Sequence, residues 1–545
     1  MGTSDLLHAL QEIEKRAERG SDEHVIKTYV DEGALVTALV TRDNGIIYGR
    51  RGTGKTHALK FLAETRRVAG DFVVYIDVEQ DLGSTGSIYA DSSLPLSERA
   101  TRLLVDVIGM IHTRLLEDAF EEGSDSQIEL LDQMLDHFSE VVVEGSVETE
   151  QTATVERTTS SSASAGINLG KAPSVSLSAS GKQDDRVAGV ARTKFSGQAH
   201  YRVHFGAAGT ILRRVVEQHP AKRFWLLFDE WSGLPVELQP YLGEMLRRVF
   251  FNLPKVTVRI AAIPHRTEWR VMRPGGGYTG LEIGSEIFPA LDLDEFVVFP
   301  ARSRQEQTAR ATGFFKNLLF RHLNQALVDV EREPMAEADE VVRLLFTQLT
   351  ALQELVRAAE GVPRDALNIV ARAALRSGGS KISTEHVRAS AAQVYQVTKQ
   401  ALLNATPDAR RLLDVIIKEV ISKKKARAFL LSVDDSQHPL IRHLVDDRIL
   451  HLIKRGYSSN AEPGARFDVL QIDYGCYVQL LTTQSAPKSM FGEDSIDDDN
   501  SMVALFAEDV EVPEDDYRAI RRAVLSLSEV LSPDDRTPET GGEAS

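Results

Sequence analysis

The run Gly49-Arg50-Arg51-Gly52-Thr53-Gly54-Lys55-Thr56 satisfies the pattern G-x-x-x-x-G-K-[ST]. It lies between an apolar segment, Gly45–Tyr48, that reads as a strand, and a helical segment that begins at Lys55. In that setting the residue types have a defined chemistry. Glycines let the backbone wrap so that its N–H groups converge on phosphate oxygens, and the helix N-terminus adds a partial positive charge. Lys55 then faces the β- and γ-phosphates, and the Thr56 hydroxyl is placed to ligate Mg²⁺. His57 closes the segment expected to line the nucleotide. The other reading is a Gly-rich turn that merely precedes a helix; the strand–loop–helix context disfavours it.

Such a site needs a carboxylate at the end of a second buried strand. Phe224-Trp-Leu-Leu-Phe-Asp229-Glu230 supplies one, 174 residues beyond Lys55. Two adjacent acids after an apolar run are costly unless solvated or near a cation. Asp229 is therefore expected to hold Mg²⁺ through water, and Glu230 to polarise the attacking water. A strand that simply ends in a polar loop is the alternative. A guanine-reading N/T-K-x-D element is absent, which favours ATP over GTP.

These motifs must be carried by a parallel sheet with helices on both faces. Strands are expected at Gly45–Tyr48, Phe72–Val78, Arg223–Phe228, Val256–Ile263 and Phe296–Phe299. Helices are expected at Leu6–Arg19, Lys55–Ala63, Ser97–Phe120, Ile128–Phe138, Ala207–Gln218 and Leu238–Phe250. Residues 122–196 interrupt this rhythm with a Ser/Thr/Ala-rich insertion. It reads as a flexible surface loop or as a β-hairpin for self-assembly or partner contact, with strands near Gly145–Glu150 and Ser174–Gly181; a membrane-active hairpin is disfavoured by the thin, short apolar face. Residues 305–397 look helical throughout, broken at Gly361-Val-Pro363.

A third module follows. Asp408–Ile421 places Leu412, Leu413, Ile416, Ile417 and Val420 on one helical face. A second helix is expected from near Ala426 and a third over His438–Asp447. Strands at Ile449–Arg455 and Phe467–Ile472 complete three helices and a hairpin. Nucleic-acid contact through this module would use Lys423–Lys425, Arg427, Arg442, His443, Lys454 and Arg455. Protein docking is the competing use, since the third helix also carries Asp446 and Asp447.

The order of these parts resembles an AAA+ ATPase of the origin-recognition and initiator clade. The resemblance covers roughly Val25 to Leu481 without the insertion, and rests on three motifs and one module. The motifs are Gly-Arg-Arg-Gly-Thr-Gly-Lys-Thr, Leu-Leu-Phe-Asp-Glu and Gly361-Val-Pro363-Arg364. The module is the winged helix. The resemblance implies an α/β AAA+ P-loop core over residues 23–300, after an N-terminal helix at 1–22. A helical lid over 301–400 and a winged-helix domain over 401–485 would follow. It also implies Mg²⁺-dependent hydrolysis of ATP, with Lys55 and Glu230 catalytic. By resemblance, His265 occupies the sensor position after the Val256 strand, although the family places a small polar residue there. Arg364 likewise matches a lid arginine that reaches the nucleotide. A trans-acting arginine from a neighbouring subunit would make the active form a homo-oligomer, with Arg247, Arg248, Arg266 and Arg270 as candidates.

Composition narrows the remaining classes. A chain of 545 residues, 42% hydrophobic and 26% charged, has the make-up of a multi-unit globular protein. No apolar run of about 18 residues occurs, so no membrane span is expected. A single cysteine, Cys476, excludes a disulfide framework and points to a reducing, cytoplasmic setting. The net charge of −17 opposes generic binding to nucleic acid, but eleven carboxylates fall between Glu493 and Asp516 without one Lys or Arg. That stretch marks residues 486–545 as an acidic mobile tail, with one late helix expected over Asp515–Leu531. Two functions remain open: ATP-driven assembly on nucleic acid, or a nucleotide-dependent switch acting on a protein partner.

Overall fold

The computed structural model describes residues 3–13, 20–31, 34–83, 94–122, 125–138, 141–150, 165–168, 174–176, 192–201, 203–294, 304–424, 426–458, 465–482 and 523–530. They fall into two compact units. One comprises Val36–Tyr48 and Ala58–Leu291; the other comprises Met1–Leu35, Gly49–His57 and Asp292–Ser545.

In chain order the first unit holds β1 (Gly45–Tyr48), β2 (Phe72–Asp77), β3 (Val141–Glu150), β4 (Ala165–Asn168), β5 (Ser174–Ser176) and β6 (Arg192–Tyr201). It continues with β7 (Phe224–Asp229), β8 (Val256–Ala262), β9 (Arg270–Met272), β10 (Tyr278–Gly280) and β11 (Phe288–Asp292). Its main sheet runs β11-β1-β8-β7-β2, and β1, β8, β7 and β2 pair in parallel. Every residue of β7 and β8 is buried, as expected of strands covered on both faces. The cover comes from helices Leu96–Glu122, Asp125–Phe138, Phe205–Gln218 and Gln239–Leu246, which share one apolar core with the sheet.

Arg259 is the exception in that apolar strand. Fully buried, it donates to the carbonyls of Leu39 (3.2 Å) and Thr41 (2.6 Å), to the Thr41 hydroxyl and to the Asp43 carbonyl. It therefore fixes the approach to β1, and its guanidinium also lies over Trp225. Burial lowers its pKa to about 10, so it stays cationic at neutral pH.

The insertion folds differently from a plain loop at its described residues. β3 and β6 pair antiparallel over ten residues, from Val141↔Tyr201 to Glu150↔Arg192, and β4 and β5 extend this to a four-stranded sheet. β6 was not foreseen, because Ser196-Gly-Gln carries little strand propensity. β11 is the fifth strand of the described main sheet, and the strand expected at Phe296–Phe299 lies outside the described residues.

The second unit is mainly helical. Helices Thr3–Glu12, Arg304–Asp329, Leu349–Ala359, Pro363–Arg376 and Thr384–Val394 share a core that continues into the last third of the chain. There a helix at Pro407–Ile416 precedes β12 (Ala428–Ser432), a helix at Pro439–Asp446, β13 (Leu450–Ser458) and β14 (Arg466–Ile472). The helix expected from Ala426 is thus a strand. Ala-Phe-Leu-Leu is buried at every position, and a short apolar run of this kind fits a core strand as well as a helix. β14 lies between β13 and β12, and β15 (Val524–Leu525) adds to β12 in parallel. Two residues of the expected terminal helix therefore belong to this sheet, followed by a short helix at Leu527–Val530.

Three histidines converge beside the N-terminal part of this unit. His322 packs edge-on against His24 and His57, with ring centroids 6.2 and 6.1 Å away. Burial first, and the two neighbouring rings second, lower the His322 pKa to about 3. The unfolded chain binds a proton near the ordinary value of about 6.5 while folded His322 remains neutral, so the unfolded state carries more protons. Stability from this site is complete above about pH 6.5 and is lost as pH falls below it, by about 1 kcal/mol between pH 6.5 and 5.5. Thermal melts of His322→Leu should show a shallower loss over that interval than the wild type. Identical pH slopes would refute this assignment.

Candidate nucleotide-binding site

The phosphate loop starts where β1 ends and finishes at the N-terminus of the Lys55–Val68 helix. Gly52 and Gly54 have φ of +84° and +99°, values that L-residues rarely adopt. A Cβ at Gly54 would meet no atom within 4 Å, so the loop presents open space there. A Cβ at Gly52 would come within 3.0 Å of the Arg364 Cβ and the Val362 Cγ1. The Arg364 N–H also donates to the Gly52 carbonyl, at 3.3 Å. The first turn of the Pro363–Arg376 helix is thus packed directly on the loop.

Lys55 is buried, and its Nζ donates to the carbonyls of Gly49 (2.9 Å) and Arg50 (3.0 Å). This folds the ammonium across the concave side of its own loop. Thr53 closes the turn through its hydroxyl onto the Arg50 carbonyl at 2.8 Å, and Thr56 is buried at the second helical position. The first N–H groups of a helix have no intrahelical acceptor. Left-handed glycines, a helix N-terminus and a buried lysine form a cradle that fits a polyphosphate.

Three motif side chains do other work or stand apart. Arg51 is exposed on the loop. The Arg50 side chain is buried: Nε donates to Asp294 Oδ1 at 2.7 Å, Nη2 to the Glu360 carbonyl at 3.0 Å, and Nη1 to His451 Nδ1 at 2.5 Å. His57 turns its ring to the Val25 carbonyl (2.9 Å) and the Thr28 hydroxyl (3.3 Å). The Arg50 and His57 side chains are thus engaged within the protein, while their backbone remains part of the loop and of the helix after it. Arg50 in turn holds the Asp294 carboxyl below the usual carboxylate range, against the opposing effect of burial.

In the other unit, Asp229 ends β7 in register with Asp77 at the end of β2. Asp229 is buried; its Oδ2 accepts from the Tyr75 hydroxyl at 2.6 Å and its Oδ1 from the Glu230 N–H at 2.9 Å. Burial, reinforced by the Asp229 charge, raises the Asp77 pKa, while N–H donors from Gln80 and Glu79 oppose the rise. Glu230 is half-buried in the left-handed region, with φ of 49°. Strain of this kind in a non-glycine residue is typical of functional turns.

The turn after β7 is bonded to the turn after β8. Ser232 Oγ accepts from the Ile263 N–H at 2.7 Å and meets the Thr267 hydroxyl at 3.1 Å, while Trp231 stacks on Trp269 at 5.8 Å. His265 sits in the Pro264–Arg266 turn that follows. Glu230 and His265 are thus carried on two cross-linked turns at the same edge of the sheet. Sequence reading had no signal for Ser232 or Tyr75, because neither lies in a recognisable spacing.

Among the described residues, no group of three or more His, Cys, Asp or Glu could hold a metal ion. Mg²⁺ suits such a site when it arrives with a nucleotide, because it keeps several waters and takes only one or two carboxylates beside phosphate oxygens. Of the arginine-finger candidates, Arg247 pairs with Glu244 (2.9 Å) and Glu286 (3.0 Å), and Arg248 with Glu244 (2.8 Å). Arg270 is exposed at the start of β9, its guanidinium over Tyr278.

The candidate nucleic-acid contacts also divide. Arg427 is buried against Glu360 at 2.5 Å and is withdrawn from any surface role. Lys423 pairs with Glu419 at 2.6 Å, Arg442 with Gln437, and His443 with Thr406 at 3.0 Å. Lys425 lies outside the described residues. Lys454 and Arg455 are exposed on β13, and Arg466, which the sequence did not single out, is exposed on β14 opposite Ser458. No helix among the described residues is long and apolar enough to cross a membrane.

Among curated proteins none matches this chain. Residues 14–69, which contain β1, the phosphate loop and the helix after it, match the family model described as ORC-CDC6-like. That match supports an AAA+ relationship of the origin-recognition/CDC6-like kind.

Proposed function

We propose that this chain is a Mg²⁺-dependent AAA+ ATPase that couples ATP binding and hydrolysis to homo-oligomeric assembly on nucleic acid. The observation that carries the reading is the Gly49–Thr56 loop, with left-handed Gly52 and Gly54 between a strand and a helix N-terminus. In this reading Lys55 leaves its two loop carbonyls for the β/γ-phosphates, and the loop N–H groups take the remaining phosphate oxygens. Mg²⁺ supplies neutralising charge when bound, with Thr56 as ligand and Asp229 as its water-mediated anchor. Glu230 accepts hydrogen-bonding from the attacking water and draws its proton. Arg364 and His265 sense the γ-phosphate from the helical region and from the turn after β8. An arginine of a neighbouring subunit completes the charge, and exposed Arg270 is the best-placed candidate.

The helix–strand–helix–helix–strand–strand order of residues 407–472, with a short helix at Val433–Ser436 before Pro439–Asp446, supports a winged helix, with β13 and β14 as its wing. Lys454, Arg455 and Arg466 on that hairpin favour phosphate contact. Neutralising three phosphates predicts a roughly fortyfold loss of DNA affinity between 50 and 200 mM salt. Fluorescence anisotropy of labelled duplex in the presence of ATP measures this. Replacing the three residues with alanine should weaken binding and flatten the salt slope.

A second reading, a nucleotide-dependent switch acting on a protein partner, is favoured by a different observation. Arg50 of the loop is bonded to His451 on β13 and to the Glu360 carbonyl. The absence of salt-dependent DNA binding, with ATP turnover intact, would select that reading.

A further inference from the structure

The phosphate loop is gripped from below by a chain of buried polar groups. Arg50 Nη1 meets His451 Nδ1 at 2.5 Å, and His451 Nε2 meets Asp473 Oδ2 at 3.1 Å. The same Asp473 oxygen accepts from Lys399 at 2.5 Å, and Lys399 lies 3.4 Å from Asp365. Asp365 is also paired with Arg448 at 2.5 Å. It follows Arg364, whose N–H bonds to Gly52. The chain therefore starts at the loop, passes through β13 and returns to the helix that packs on the loop.

Hydrogen-bond roles along the chain are forced. A guanidinium has donors only, so His451 Nδ1 must accept and His451 Nε2–H must donate to Asp473. His451 is completely buried, and a cationic imidazole would turn an N–H toward Arg50. Burial lowers its pKa, with Arg50 and Lys399 acting the same way and Asp473 and Glu360 opposing. Lys399 and His451 hold Asp473 well below the usual carboxylate range against its burial. A structural ion pair would serve as well with any filler between Arg50 and Asp473. A neutral imidazole instead reads both, accepting on one side and donating on the other.

We infer that His451, oriented by Asp473, is a positioning residue for the nucleotide: it fixes Arg50, so that the loop carbonyls at positions 49 and 50 and the N–H groups beyond them keep the phosphate-accepting shape. ATP binding is thereby linked to the β13–β14 segment. The inference rests on the assignment of Gly49–Thr56 as the ATP site.

The test uses the full chain and a fluorescent ATP analogue. His451→Ala should weaken binding about tenfold or more, the scale of a lost hydrogen bond to a charged group. Turnover at saturating ATP should change less than the KM. His451→Gln, whose amide can accept from Arg50 and donate to Asp473, should restore binding close to wild type. Arg50→Ala should reproduce the His451→Ala defect, and the double variant should be no worse than either single one. Wild-type affinity in His451→Ala, with binding lost in Lys55→Ala, would overturn the inference and leave the ATP site standing; binding retained in Lys55→Ala would overturn the site itself. Hydrogen exchange on the unmodified protein gives an answer independent of whether the variants fold. ATP should protect residues 450–458 together with 49–56. Protection confined to 49–56 overturns the inference.

Discussion

Replacing Lys55 with alanine is expected to weaken ATP binding by roughly two to three orders of magnitude, without unfolding the chain. Lys55 is buried and is held by the Gly49 and Arg50 carbonyls. A unit charge facing a phosphate at about 4 Å is worth about 4 kcal/mol at an effective dielectric near 20. Each tenfold in affinity corresponds to about 1.4 kcal/mol. The loop itself survives, because Thr53, Asp294 and the Arg364 N–H hold it through groups other than the Lys55 side chain. Calorimetric titration of ATP into both proteins measures the loss, and near-equal affinities would mean that Lys55 does not face a phosphate.

Glu230→Gln should divide binding from chemistry. The substitution keeps the shape of the side chain and leaves the Glu230 N–H to Asp229 Oδ1 bond untouched. It removes the charge that draws a proton from water. Loss of a positioned general base lowers rate by about 10²–10⁴. ATP affinity should stay within a few-fold of wild type, so the variant should accumulate in its ATP-bound form. If turnover survives in this variant, the base lies elsewhere. Asp77, paired in register with Asp229 and of raised pKa, would then be the carboxylate to replace next.

Local signals made much of the fold legible. The four residues of β1 and the apolar runs of β7 and β8 stand out because strands covered on both faces lack polar alternation. The break at Gly361-Val-Pro363 is equally visible, since proline tolerates only the first turn of a helix. Ala428–Leu431 misled because four apolar residues fit either a helix or a strand, and only pairing with β14 decides between them. β6 was hidden because its partner β3 enforces it across the sheet, against weak local propensity.

Spacing in the sequence marks a candidate phosphate loop, but it does not mark the contacts that surround that loop. The intervening positions of a phosphate loop carry no constraint in the motif, so nothing marked Arg50 as a residue turned toward Asp294 and His451. His451 and Asp473 are separated from Arg50 by about four hundred residues of chain, and no periodicity relates them. Arg259 likewise looked like a break in an apolar strand; its meaning lies in the Leu39 and Thr41 carbonyls that it satisfies.

The measurement that bears most directly on the central claim is ATP turnover by wild type and Glu230→Gln, each with Mg²⁺ and with or without duplex and single-stranded DNA. Turnover that needs Mg²⁺, disappears in Glu230→Gln and rises with DNA is the predicted result. Turnover equal in the two proteins, or none in the wild type under any of these conditions, would contradict the account.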